Sequence, residues 1–200
     1  METAMSALTV DPASANSRDW DDLVRIREET DAPEGCKVEI IEGIITVSPP
    51  PSNSHNLIAE KVHRRLYSVI PEDWGIYQTL GASVPSRDGL FIPDLAVMPE
   101  AALHRPGHFV PAADAELVVE VTSKSNAVHD RIKKAAGYAQ AGVPLYLLID
   151  GFAPGGPTVT LYGEPKGDVY RVLSAVPFGE KVHLPAPFDL TLDTSAFPFG

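Results

Sequence analysis

AELVVEVTSKSNAVHDRIKKAAGYAQAGVPLYLLID, residues 115–150, reads as strand, polar turn, helix, strand. Leu117–Val121 and Leu145–Ile149 are short apolar runs of the kind that form buried strands. Thr122-Ser123-Lys124-Ser125-Asn126 makes the turn, and a helix runs on through about Ala141. A connection of this length joins two parallel strands of one sheet. The first strand carries a carboxylate, Glu120, in otherwise apolar sequence. Burying an unpaired carboxylate costs several kcal/mol, so Glu120 needs a partner. A cation shared with a second acid is the economical answer, and Asp94, in the apolar run Phe91–Val97, supplies that acid.

Outward from this unit the chain keeps an α/β pattern. Residues 1–16 are small and polar without a period and are expected as a disordered N-terminal tail; residues 17–200 are expected as a single domain. Asp19-Trp20-Asp21-Asp22 opens a short helix to about Glu29. Val38–Ile41 and Ile44–Val47 flank Glu42-Gly43 as a hairpin. Ser52 or Ser54 caps a helix from about His55 to Ile70, with Ile58, Val62, Leu66 and Val69 on its buried face. Trp74–Val84 and Leu90–Met98 read as two strands joined by the turn Pro85–Gly89, and residues 99–114 as a loop. Short strands follow around Val159–Tyr162, Val169–Leu173 and Lys181–Leu184. The sum is a mixed β-sheet flanked by helices, with peripheral antiparallel hairpins.

Composition narrows the function. The single cysteine, Cys36, excludes an intrachain disulfide and a cysteine-only zinc site, and fits a reducing compartment. No apolar run approaches the roughly 18 residues that span a bilayer, and no signal peptide opens the chain, so a cytoplasmic protein without membrane contact is expected. The net charge of −11 counts against tight, non-specific nucleic-acid binding while leaving room for a local basic groove. Two carboxylates meeting across neighbouring strands repel unless a proton or a cation lies between them. Oxygen donors point to Mg²⁺ or Mn²⁺ rather than zinc. The plainer alternative is that Asp94 ends a strand and Glu120 pairs with a core Lys or Arg.

Pro93-Asp94, Glu120-Val121-Thr122-Ser123, Asp130, Lys134, Tyr138, Gly142-Val143-Pro144 and Tyr146–Asp150 together resemble the putative restriction endonuclease family of the PD-(D/E)XK nuclease superfamily. Glu39 ahead of Glu42-Gly43, then Pro49-Pro50 and His55, extend the resemblance, which covers roughly residues 20–190. It implies a restriction-endonuclease-like fold and a metal-dependent endonuclease acting on DNA. Asp94 and Glu120 would hold Mg²⁺, with the carbonyl of Val121 as a third ligand, and a lysine would position the attacking water. Many nucleases of this fold pair up, so a homodimer is expected.

One position departs from the pattern. Thr122 stands two residues after Glu120, where the superfamily has lysine. Lys124 keeps the strand parity of Glu120, and Lys134 lies four residues after Asp130 on the helix. An α-helical wheel sets Lys134 about 240° from Val128, off a buried stripe of Val128, Ile132, Ala135 and Ala139. The alternative for Lys134 is an ordinary surface pair with Asp130. His55 reads equally as a phosphate or water contact and as a helix-end histidine; Glu39 reads as a third acid at the metal or a solvent-facing one; Glu60 as surface. His104 and His108 read as loop histidines, and Arg131, Lys133 and Lys134 as a basic cluster on a solvated helix face. The missing lysine and the acidic total also allow a catalytically silent nuclease fold serving as a binding or assembly module.

Overall fold

The computed structural model describes residues 20–124 and 126–198, so the expected tail lies outside the described residues. Helix α1 (Trp20–Glu29) turns Leu23 onto the hairpin of β1 (Lys37–Ile41) and β2 (Ile44–Ser48). That hairpin closes on Glu42 and Gly43, with φ of 50° and 75°, the left-handed pair that a two-residue turn requires. Helix α2 (Asn53–Tyr67) is capped by Ser52, whose hydroxyl accepts a hydrogen bond from His55 N. Ile58, Ala59, Val62 and Leu66 form its buried face.

The next two apolar stretches differ from expectation. Each is cut in two: β3 (Trp74–Tyr77) and β4 (Gly81–Val84), then β5 (Gly89–Phe91) and β6 (Leu95–Pro99). Strands β4 and β5 form the hairpin that Pro85–Gly89 announced, whereas β3 pairs with β6 in another sheet. The chain changes sheets at Ile92-Pro93-Asp94, where Pro93 has no N–H to continue a ladder. Asp94 therefore sits at the junction of two sheets, not inside a strand. The expected loop 99–114 contains β7 (Phe109–Pro111), which pairs in parallel with β4. Three residues are too few to show a period.

Strand β8 (Leu117–Val121) passes through a π-helical turn, His129–Lys134, into α3 (Ala135–Ala141) and on to β9 (Leu145–Asp150). β8 and β9 are parallel, as their connection requires. β10 (Thr158–Lys166), β11 (Val169–Pro177), β12 (Lys181–Leu184) and β13 (Leu190–Asp193) follow as antiparallel ribbons.

The described strands form a central sheet of order β11-β10-β9-β8-β6-β3, a second sheet β2-β1-β5-β4-β7, and the ribbon β12-β13. Alternation divides the core. Leu95, Val97, Leu117, Val119 and Val121 face α2 and the ribbon, while Ala96, Met98, Val118 and Leu148 face α3 and the second sheet. Glu120 shares the parity of Val118, so its side chain enters the space between the two sheets. Gly137 lets α3 approach closely: a Cβ there would lie 2.5 Å from the Phe91 ring. The neighbouring Tyr138 then meets Phe91 edge to face.

Candidate active site

Asp94 and Glu120 are brought together. β6 and β8 pair antiparallel, Leu95 beside Val119, and one further step of that register sets Asp94 opposite Glu120. Both are buried. Around Asp94 the donors are numerous. Lys37 Nζ lies 2.6 Å from Oδ1. On Oδ2 converge the Val121 N–H at 2.7 Å and His55 Nε2 at 2.9 Å. Burial opposes ionisation of Asp94, but the His55 hydrogen bond and the Lys37 charge outweigh it and hold the carboxyl well below the usual carboxylate range.

Glu120 has a different setting. Its Oε1 accepts from Lys134 Nζ at 3.1 Å and from the Tyr138 hydroxyl at 2.8 Å. The same ammonium lies 2.9 Å from Glu39 Oε1 and 3.3 Å from Asp130 Oδ1. Glu39 also accepts from the Ile92 N–H at 2.7 Å, tying β1 to the sheet junction. One ammonium among three buried carboxylates is too little charge. Burial, against the pull of Lys134 and with repulsion from Asp130 and Asp94, pushes Glu120 up to about 8. Asp130 is raised to about 6 by burial and by repulsion from Glu39 and Asp94, despite Lys134. Lys134 itself is held well above its ordinary value by Glu120, Glu39 and Asp130, which overcome its burial.

The π turn explains how Lys134 arrives there, against the wheel drawn for an α-helix. Its wider winding shifts the phase of every residue across the turn. Val128 and Ile132, expected in the buried stripe, are 59% and 64% exposed, while Lys134 is 1% exposed and Asp130 fully buried. Tyr146, stacked beneath, donates its hydroxyl to the Asp130 carbonyl. The Asp130–Lys134 pair exists, but inside the protein, where it is part of a network rather than a surface ornament.

The remaining candidates fall into place around this network. Lys124 is exposed in the turn after β8, on the rim of a cleft of about 240 Å³ that reaches Asp94. Thr122 is buried and donates to Asp150 Oδ1 at 2.9 Å. Arg131 binds the same carboxylate through Nε and NH2, and Lys133 pairs with Glu42. The basic cluster expected on a solvated face is thus dispersed into three separate pairings. Glu60 is exposed and pairs with Arg64, and His104 and His108 are exposed in the segment before β7. Sequence reading missed Lys37. Its signal was available: Lys37 and Glu39 share one side of β1 by parity.

Four buried acids, Glu39, Asp94, Glu120 and Asp130, face two ammonium groups, Lys37 and Lys134. Asp130 is fully buried, and the donor beside it is the shared Lys134 ammonium at 3.3 Å. The acids outnumber the ammonium groups, which is why burial drives Glu120 and Asp130 toward their protonated forms. Carboxylate oxygens are the donors a hard divalent ion would take. With the lysines where they are, no three His, Cys, Asp or Glu side chains converge in ligand geometry among the described residues. Asp94 and Glu120 are the facing carboxylates that such an ion would take, and Mg²⁺ held by one or two carboxylates keeps much of its water.

Fold and site define a restriction-endonuclease-like protein with an acid pair at the junction of two sheets. The chain belongs to the Uma2 family of putative restriction endonucleases, whose model matches residues 20–195. Among solved structures it is similar to a putative nuclease of the DUF820 family from Anabaena variabilis, at 21% identity and a TM-score of 0.67. That match covers 88% of this chain and 96% of the other. No curated protein matches the sequence. Among the described residues no helix is long and apolar enough to cross a membrane.

Proposed function

We propose that the protein is a metal-dependent endonuclease that hydrolyses phosphodiester bonds in DNA. The observation that carries this reading is the juxtaposition of Asp94 and Glu120 in a buried network short of positive charge, beside an open cleft. Asp94 and Glu120 would hold Mg²⁺ or Mn²⁺, with the Val121 carbonyl as a further donor. When bound, the ion supplies a water of lowered pKa and offsets charge on the scissile phosphate. His55 and the Val121 N–H orient Asp94. Lys134 and Tyr138 orient Glu120, so the lysine absent at Thr122 is replaced from the helix. Lys37 and Lys124 line the cleft and offer cations to a phosphate entering it.

A second reading has its own support. Lys134 is enclosed by three carboxylates and almost without exposure, which suits a structural counterion in a silent nuclease fold. One experiment separates the two. The purified chain is incubated with plasmid, linear duplex and single-stranded DNA in Mg²⁺ or Mn²⁺, beside Asp94→Ala and Glu120→Ala. Calorimetry with Mn²⁺ runs in parallel. Metal-dependent cutting lost in both variants supports the enzyme. Wild-type protein that neither cuts nor binds Mn²⁺ leaves the silent module.

A further inference from the structure

The cleft beside Asp94 has two kinds of wall. One is polar and cationic: Lys37, His55 and Lys124, with Asp94 as its one acid among the described residues. The other is apolar: the Pro49-Pro50-Pro51 run after β2, and Phe152 after β9. Phe152 is 42% exposed on this wall. Its backbone is nonetheless fixed at both ends. The Phe152 N–H donates to Asp150 Oδ1 at 3.0 Å, and its carbonyl accepts from Arg131 NH2 at 2.6 Å. Asp150 in turn is held by Arg131 and by Thr122. Thr122, two residues past Glu120, thus braces the segment that presents the ring.

We infer that this cleft receives one unpaired nucleobase of the substrate strand, stacked on Phe152, with the adjoining phosphate directed toward Lys37 and Asp94. The inference rests on the nuclease reading and adds its substrate class: nucleic acid with unpaired bases, in preference to intact duplex. Two observations and one general consideration choose this occupant. The volume, about 240 Å³, falls just under the roughly 300–1,000 Å³ of sites for drug-sized ligands, enough for one planar base and its sugar. Lys37 and His55 answer Asp94, and Lys124 adds an exposed cation on the rim, which gives one phosphate an anchor in a chain of net charge −11. A duplex would need a broad basic surface to neutralise many phosphates, whereas a stacked base draws its affinity from a π face.

Binding of a short fluorescein-labelled oligothymidylate and of a blunt duplex of equal length is compared by anisotropy, with Ca²⁺ in place of Mg²⁺ so that nothing is cut. The expected result is tighter binding of oligothymidylate. Phe152→Ala should weaken that binding roughly five- to hundredfold and leave the duplex little changed. Phe152→Trp should keep the affinity, with its added indole fluorescence quenched by oligothymidylate. Equal or tighter duplex binding, or oligothymidylate binding indifferent to both substitutions, overturns the inference while the nuclease reading stands. Failure of the protein to bind or cut any nucleic acid overturns both.

Discussion

Asp94 and Glu120 stand opposite one another at the ends of neighbouring strands, yet the protein treats them in contrary ways. Asp94 collects a lysine, a histidine and a backbone N–H on its two oxygens and stays ionised. Glu120 shares one ammonium with Glu39 and Asp130 and is driven toward its protonated form. The first side has more donors than it needs; the second has more charge than it can hold. A divalent ion held by both, as proposed, would relieve the second while competing with Lys37 for the first. That asymmetry is what the proposed divalent ion would act on.

The sharpest way to break the comparison is to remove its members one at a time. Asp94→Ala and Glu120→Ala should each abolish metal-dependent cutting, by about a hundredfold or more, and abolish Mn²⁺ binding in calorimetry. A variant that keeps wild-type Mn²⁺ affinity would remove that acid from the site.

Lys134→Met should be the most damaging change to stability. Stripping the partner from buried carboxylates costs about 3–5 kcal/mol, and for a chain this size each kcal/mol is about 2–4 °C in Tm. Thermal unfolding should therefore fall by roughly 10 °C, with part restored by Mn²⁺. An unchanged Tm would mean that the trio ionises independently of its lysine.

Without metal, stability should also depend on pH in a direction set by Glu120 and Asp130. Their folded pKa values, about 8 and about 6, lie above those of the unfolded chain. Their stabilising contribution is complete below the unfolded carboxylate range and is lost as pH rises through the folded values. Tm of the metal-free protein should drop between pH 5 and pH 8.5, and Glu120→Gln should flatten the slope. Asp94, depressed in the fold, contributes the opposite slope only at strongly acid pH. A rising Tm over the neutral range would contradict the reading of the Glu120 side.

The smallest effect belongs to the brace. Thr122→Val removes one hydrogen bond to Asp150 and should cost about 1 kcal/mol, seen as a slight fall in denaturant midpoint. Loss of Mn²⁺ binding in this variant would instead put Thr122 at the metal.

Much of this was legible in the chain. The strand-helix-strand unit, the Glu42-Gly43 turn and the Ser52 cap are local, set by residues within a few positions of one another. Asp94 and Glu120 stood out because acids are costly in apolar runs. What could not be read depends on distant partners. The division of 74–84 and 89–98 between two sheets is decided by which edges are free to accept each half. β7 exists because β4 offers it a parallel edge. Lys37 meets Asp94 across 57 positions of chain. The π turn is subtler, since its sequence carries an α-helical pattern and only the enclosure of Asp130 and Lys134 shows that another winding won.

That winding has a consequence for how the site can be inherited. A π turn holds one residue more than the α turn it replaces, so excising a single residue from 129–134 would rewind the segment as ordinary α-helix. The helix on either side would keep its phase, because the wide turn already absorbs the extra residue. Only the side chains inside the turn would be re-aimed, and with them the Asp130–Lys134 contact. A one-codon deletion, which in an ordinary helix throws the two flanks out of register by about 100°, would here spare the flanks and act on the cation and its acids alone.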